Sequence, residues 1–459
     1  AVVFGLLRRG ENKVAEFHGH AEFTSYLIGL SKSPPRCALS ENIDYKTASA
    51  QLAMALVRTS APTFIHRSPV SLQDVSVFVY GSRSPGSKPR KRVMTRQPLA
   101  YFGVGVDQSA RSFGGTAPMQ ARFGIIEIPR NIESARANAG LAEDHGFDMV
   151  GVADSQSLFR ELFVTLGMIG GATGKPMLGP TVTNPLTRHP AVMASGLATI
   201  QEVSGGRAFL GIATGDSAIY NLGERPRGLA GLREYIAALR CLFRGENTEF
   251  AGKPVHTRWI GGLDQPEVPI YIAAEGPKTL ELAGEIADGV FCGMGFSNDV
   301  ATLTLSRIAA GAERAGRSLD DIDVWALGRV NVGEDRDALI SEIRMELAST
   351  AHHAFRFTQE GKLVPPQFAD AIREVQQGYK PSHHEDLGES PNAKLMQDPE
   401  LLAYMVDRFA VLGTPDDCVA QIQRIREAGI HQILFTGFVD DRPKLIETLG
   451  RDVFPRCRN

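Results

Sequence analysis

The sequence is poor in the features that would tie it to a disulfide scaffold, a membrane or nucleic acid. Its 459 residues include only five cysteines, Cys37, Cys241, Cys292, Cys418 and Cys457. None forms a CxxC pair and an odd count leaves one unpaired, which argues against a disulfide framework and for a reducing, cytoplasmic setting. No run of about 18 uncharged apolar residues occurs, so nothing reads as a membrane span. Arg8, Arg9, Glu11 and Lys13 interrupt what would be the apolar part of a signal peptide. A formal net charge of -3 gives no general pull toward nucleic acid or an anionic bilayer. The one basic run, Lys88-Pro89-Arg90-Lys91-Arg92, sits beside prolines and reads as a solvated loop.

Several catalytic signatures are missing too. There is no GxGxxG, Walker A, HExxH, Cys–His zinc spacing or GxSxG elbow. Two histidine groups attract notice. His18, His20 and Glu22 would share one face if extended, and His383-His384-Glu385 lies in a polar stretch. Strand alternation explains the first and loop composition the second, so no metal is expected.

What remains is a soluble-protein composition, 43% apolar and 22% charged, with a change of texture near residue 120. Residues 1–120 hold short apolar runs, VSVFVYGS (75–82) and YFGVGV (101–106), separated by turn-rich segments, and a helix-like pattern over 46–57. They form an N-terminal extension with no evident fold. From Arg122 onward, short β-rich runs alternate with amphipathic ones. The strand candidates are 122–128, 147–153, 176–183, 207–213, 268–274, 289–293, 323–330 and 431–437, and helices are expected over 131–145, 159–169, 190–203, 228–243, 277–286, 298–315 and 441–449. Eight apolar strands joined by helices, without a phosphate-binding glycine turn after the first, predict a (β/α)8 TIM barrel over 121–459. The long connection after the seventh strand holds an insertion at about 351–400 and an extra helix at 398–410. Such an insertion mounts on the carboxyl face, as a lid or as a peripheral ornament.

A barrel gathers its chemistry at the carboxyl ends of its strands. Asp154 and Ser155 follow the second strand. Asp154 is a pocket charge or the cap of a helix beginning near Ser157. Thr183, Asn184, Arg188 and His189 follow the third, where Asn184 offers a donor and an acceptor and Arg188 and His189 offer cations or a salt bridge where the helix begins. Thr214-Gly215-Asp216 and Glu275-Gly276, after the fourth and fifth strands, are the candidate phosphate cradle: glycine admits close approach, and a helix start offers free N–H groups. Gly293 and Gly295 follow the sixth strand, Arg329 closes the seventh and Thr436 the eighth.

These motifs carry a resemblance. DSQSLFRELFVTLGMIGGAT, LGPTVTNPLTRHPAVMASGLATIQEVSGGRAFLGIATGDSA, EGPKTLELAGEIADGVFCG and GTPDDCVAQIQRIREAGIHQILF together resemble the luciferase-like flavin and deazaflavin oxidoreductases, nearest the methylene-tetrahydromethanopterin reductase-type branch, over residues 121–459. The resemblance implies FMN or coenzyme F420 in the barrel mouth and a homodimer. Asp154, Ser155, Asn184, Arg188 and His189 would be catalytic, and Thr183, Asn184, Thr214, Gly215, Asp216, Glu275, Gly276 and Gly293 would bind the cofactor. It also places Gly179–Thr183 where relatives carry a non-proline cis bond. The deazaflavin branch often has Asp-His where this sequence has Asp154-Ser155. With the added N-terminal part, this favours a monooxygenase using O2 and reduced FMN, delivered by a separate flavin reductase, on a small organic substrate. The alternatives are F420-dependent hydride transfer and a non-redox relative with a hydrolytic or binding role.

Overall fold

The computed structural model describes three strands of the N-terminal part, Val3–Leu7, Ala15–Phe17 and Ser76–Tyr80, and residues 120–458 apart from 266, 385 and 387. The chain divides into two compact units, Ala1–Asp107 and Gln108–Asn459. In the first, Ser76–Tyr80 and Ala15–Phe17 flank Val3–Leu7 as antiparallel neighbours. The run VSVFVYGS thus supplies a strand. The helix-like pattern at 46–57, the 101–106 run, the basic run and His18 to Glu22 lie outside the described residues.

The second unit is a nearly closed parallel barrel. Its strands are β1 (Arg122–Glu127), β2 (Met149–Val152), β3 (Met177–Pro180), β4 (Leu210–Ile212), β5 (Ile270–Ala274), β6 (Gly289–Cys292), β7 (Asp323–Val332) and β8 (Gln432–Phe435). They run in the order β3-β2-β1-β8-β7-β6-β5-β4. Parallel bridges Leu178↔Ala208 and Thr183↔Ile212 bring β3 against β4 and complete the ring. The helices α1 (Ile132–Asp144), α2 (Leu162–Gly170), α3 (Pro190–Ser204), α4 (Leu229–Phe243), α5 (Pro277–Ile286) and α6 (Asn298–Arg314) follow the first six strands in turn. After β7 come α7 (Arg336–Phe355), α8 (Ala369–Gly378), α9 (Pro399–Phe409) and α10 (Pro415–Glu427), and α11 (Arg442–Thr448) follows β8.

Local chemistry sets the boundaries. Asn131 Oδ1 accepts from Glu133 N and Ser134 N at the start of α1. Pro190 opens α3 and Gly205, at φ 67°, ends it. Thr414 and Asp417 form a reciprocal capping box on α10. The helix after β2 starts at Leu162 with Glu161 as its cap, so Asp154 is not a capping residue, contrary to that sequence expectation.

The inside of the ring is filled from the amino end. Phe209, Tyr271, Phe291 and Trp325, from four successive positions round the barrel, pack together with Met149 and Leu434. Glycines make room for them: a Cβ on Gly289 would sit 2.3 Å from the Tyr271 ring, and one on Gly211 would lie 2.8 Å from Phe291. Below the aromatics, Asp323 accepts from Tyr271 Oη (2.7 Å), Trp325 Nε1 (3.0 Å) and Gln432 Nε2 (2.6 Å), with Arg122 completing the set. The lower end is therefore a packed plug and the open chemistry lies at the other end.

The segment between β7 and β8 is the largest departure from a plain barrel. Its strand Ala410–Gly413 pairs with the outer half of the ten-residue β7, from Arg329↔Ala410 to Val332↔Gly413. Arg408, almost fully buried, donates to Met294 O, Leu363 O and Lys362 O and to Tyr404 Oη. Phe296 N returns a bond to Arg408 O. The insertion is thus bound to the carboxyl end of β6.

Candidate active site

The strand-end residues fall into two groups on the carboxyl face. The first joins the ends of β2 and β3. Asp154, only 3% exposed in its side chain, receives a fork from Arg188 (Nη1 to Oδ2 2.6 Å, Nη2 to Oδ1 3.2 Å) and a 2.6 Å bond from Thr183 Oγ1. Arg188 also donates to Glu161 (2.9 Å), and its guanidinium lies over the Phe163 ring. Burial pulls the Arg188 pKa down, but the bonds and charge of Asp154 and then Glu161 outweigh this and hold it above the usual value. Two of the sequence alternatives for Arg188 therefore merge: its salt bridge is to the pocket residue Asp154. Asn184 is buried and turns the chain, its Oδ1 accepting from Leu186 N and Thr187 N. Ser155 Oγ lies 3.1 Å from Ser217 Oγ, linking this group to the next. The Thr181–Val182 bond is cis, within the segment where the resemblance placed one.

His189 does not join the group. It is exposed, its Nδ1 accepts from Ala191 N at the start of α3, and its ring meets Phe250 edge-on. In the structure it serves as the cap of α3.

The second group joins the ends of β4, β5 and β6 to the insertion. Gly215, at φ 112°, needs glycine's freedom, and a Cβ there would lie 3.5 Å from Asn184 Cβ and 2.5 Å from Ile219. Thr214 O accepts from Arg227 N just beyond β4. The helix after Asp216 is only four residues, Ser217–Tyr220, and Asp216 does not cap it. Its carboxylate instead faces His353 Nδ1 (2.5 Å), Arg356 Nη1 (3.4 Å) and His352 Nε2 (3.5 Å). Where the sequence led to the expectation of part of a phosphate cradle, the structure places at Asp216 an anion ringed by cations. Burial raises the Asp216 pKa, but His353, His352 and Arg356 together hold the carboxyl well below the usual range. Gly276 stands at the start of α5, which carries no side-chain cap. Gly293 packs under Glu275, where a Cβ would be 3.0 Å from Oε1. Arg329 donates to Thr350 Oγ1 (2.5 Å), and Thr436 to the fully buried Glu346.

Residues from the insertion tie these ends together, and of these only His384 was weighed from sequence, as a metal candidate. Arg356 donates to Gly215 O (3.0 Å). Lys362 is buried over Gly276, with Nζ donating to Ala354 O (2.8 Å) and Arg356 O (3.2 Å). Burial pushes its ammonium down to about 8, opposed by the charge of Glu275. The HHAFR run (352–356) was the available signal: a basic cluster closing a helix beside the pocket. His384 belongs to this group too, with Nδ1 2.5 Å from Tyr379 Oη and its ring edge-on to His353. Among the described residues no three His, Cys, Asp or Glu side chains gather to hold an ion.

With this geometry in view, the comparisons are informative. The luciferase-like monooxygenase family model matches residues 109–432. The chain belongs to this luciferase-like family. It is an enzyme of the luciferase-like oxidoreductases, which use F420 or a flavin, in their methylenetetrahydromethanopterin reductase-type branch. The 5,10-methylenetetrahydromethanopterin reductase of Methanolobus tindarius is 33% identical over 344 residues, covering 72% of this chain and 99% of the relative. The F420-dependent glucose-6-phosphate dehydrogenase of Nakamurella multipartita is 28% identical over 337 residues, covering 69% of this chain and 90% of that protein. Among solved structures, the coenzyme F420-dependent tetrahydromethanopterin reductase of Methanopyrus kandleri superposes with a TM-score of 0.60 at 27% identity, over 74% of this chain and 99% of that one. Among the described residues no helix is long and apolar enough to cross a membrane.

Proposed function

We propose that this luciferase-like protein is a coenzyme F420-dependent reductase or dehydrogenase that moves a hydride between F420 and a small organic substrate. The observation that carries the reading is kinship: the glucose-6-phosphate dehydrogenase relative and the tetrahydromethanopterin reductase structure are both F420-dependent and match over most of their length. This favours the sequence alternative over the FMN monooxygenase. The missing histidine after Asp154 argued for FMN, but a histidine stands at the same mouth on another element, His353.

The site fits a polar ring cofactor. Thr181 Oγ1, Thr187 Oγ1 and His352 Nδ1 are buried without a hydrogen-bond partner. Buried polar atoms left this way are costly unless a ligand completes them. Bound F420 supplies a ring that gives or takes a hydride. On the protein side, Arg188 and Thr183 fix Asp154, and Asn184 holds the turn beside it. The uncapped start of α5 at Gly276 offers N–H groups to an anion, with Lys362 next to it. The insertion covers the ends of β4 and β5, with Arg356 on Gly215 O and Lys362 over Gly276. The homodimer reading is supported by the outer faces of α2 and α3, where Val164, Met168, Val192 and Val203 are each at least 41% exposed around a groove lined by Gly167 and Gly196.

Titration of the purified chain with F420 and with FMN, followed by absorbance, tests the reading. F420 should bind at least about tenfold more tightly, roughly 1.4 kcal/mol, and reduced F420 should then be oxidised by 5,10-methylenetetrahydromethanopterin or another small acceptor. The reverse preference would restore the FMN monooxygenase and its separate flavin reductase. Saturable binding of neither would leave the non-redox relative.

A further inference from the structure

Hydride transfer to a carbon–heteroatom double bond needs a second participant. The hydride forms the new C–H bond, the π pair moves to the heteroatom, and that atom must take a proton; the reverse reaction must take it away. On the β2 and β3 side no group is ready for this. Asp154 is engaged by the Arg188 fork and the Thr183 hydroxyl, and Ser155 pairs with Ser217. A serine hydroxyl also holds its proton far too tightly.

The other side of the mouth is different. His353, in the last turn of α7, sets Nδ1 2.5 Å from Asp216 Oδ2, and its side chain keeps 20% of its surface exposed. Its ring meets His352 and His384 edge-on. We propose that His353, oriented by Asp216, carries the substrate proton in this hydride transfer, giving it to the substrate heteroatom in reduction and taking it in oxidation. The proposal rests on the F420 reading above.

The arrangement meets the requirements of the step. A carboxylate on Nδ1 fixes the ring and leaves Nε2 for the substrate, and it stabilises the imidazolium that exists before donation or after abstraction. Once the proton has left, the ring is neutral with Nδ1 still beside the Asp216 carboxylate, and the exposed part allows reloading from water. The electrons balance, because the cofactor loses the hydride, the substrate gains hydride plus proton, and His353 returns to its starting state. The charged groups facing His353 come from every element around it: Asp216 after β4, Glu275 after β5, His352 and Arg356 on α7, and His384 from the insertion. Burial and Arg356 disfavour its charged form, but Asp216 and Glu275 prevail and hold its pKa above the ordinary histidine value. His384, in contrast, is pushed down to about 3, by burial first and then by His353, so it stays neutral beside its neighbour.

Two measurements on the full chain test this. In the first, histidine-labelled protein is titrated by NMR, with the His353 signal assigned by its loss in His353→Gln. His353 should titrate above free histidine, and Asp216→Asn should bring its midpoint down. In the second, reduced F420 is oxidised by 5,10-methylenetetrahydromethanopterin across pH. His353→Gln should lower kcat by about 100-fold or more, the usual worth of a positioned acid, and remove the alkaline fall of the wild-type profile, while F420 affinity measured by fluorescence stays within about twofold. Should F420 not bind, the proposed function fails, but the NMR titration still shows whether His353 holds a proton at neutral pH. A His353 midpoint below free histidine, or wild-type turnover and pH profile in His353→Gln, would overturn the assignment.

Discussion

Replacing Arg188 with Met isolates the central pair of the site. Met keeps most of the apolar stem and removes the charge, so the packing loss is small. The Asp154 carboxylate, only 3% exposed, then keeps one partner, Thr183 Oγ1 at 2.6 Å, and loses the two guanidinium bonds. Removing one member of a buried pair typically costs about 3–5 kcal/mol, because the other charge is left uncompensated. The contact with the half-exposed Glu161 adds little. We therefore expect Arg188→Met to lose about 3–4 kcal/mol, within the range for a broken buried pair. Asp154→Asn should cost less, because Arg188 keeps Glu161, and the double variant should recover about 2 kcal/mol of the summed loss by removing both charges. Urea unfolding followed by tryptophan fluorescence is the assay. The chain has two tryptophans, and one of them, Trp325, is fully buried inside the barrel. A loss below about 1 kcal/mol for Arg188→Met, the level of a surface pair, with additive single effects, would refute the idea that this pair is a buried, coupled unit.

Other outcomes follow from the same geometry. His384 protonates near 6.5 when unfolded but only near 3 in the fold, so between these values the unfolded state binds more protons and stability falls as pH drops, by at most about 1.4 kcal/mol per unit. Urea midpoints of His384→Gln should lack this part of the slope between pH 6.5 and 4.5, and parallel slopes would contradict it. A Cβ at Gly276 meets Lys362 Cε at an ordinary 3.5 Å, so Gly276→Val should fold with a near-normal Tm yet bind F420 at least about tenfold more weakly, roughly 1.4 kcal/mol; unchanged affinity removes the cradle. Gly215→Ala should lose about 1–3 kcal/mol, since φ is 112° and the new Cβ meets Ile219 at 2.5 Å. Adding Ile219→Ala should recover only the contact part of that loss in the same urea assay. Val192→Asp should yield a monomer in sedimentation velocity, and an unaltered dimer would place the subunit contact elsewhere.

The barrel was legible because its strands are short apolar runs and most of its helices carry one apolar stripe; each of the eight expected strands is present, seven of them shorter by a few residues and the seventh, Asp323–Val332, longer by two. The helix α7 was not, and the reason is burial. Leu339, Ile343, Met345, Glu346, Leu347, Ser349, Thr350, Ala351 and Phe355 are all buried, so apolar and polar residues lie on every side and no 3.6-residue stripe shows. Glu346 and Thr350 are inside because Thr436, Phe438 N and Arg329 pair with them, which only the fold can bring about. With α7 unseen, His352, His353 and Arg356 had no place in the expected site. Asp154, Thr183 and Arg188 were found because each lies within a few residues of a strand end. Their mutual contact was not readable, since 34 residues separate Asp154 from its guanidinium partner.

Arg408 has a consequence for how the segment between β7 and β8 can move. One buried guanidinium holds the loop at Lys362 and Leu363, its own helix α9 and the end of β6, while Ala410–Gly413 is stitched to β7. A segment anchored at both places cannot swing as a hinged door without breaking several bonds at once. It is better regarded as a vault with a fixed keystone, whose displacement as a whole would break the Arg408 bonds and the β7 pairing together.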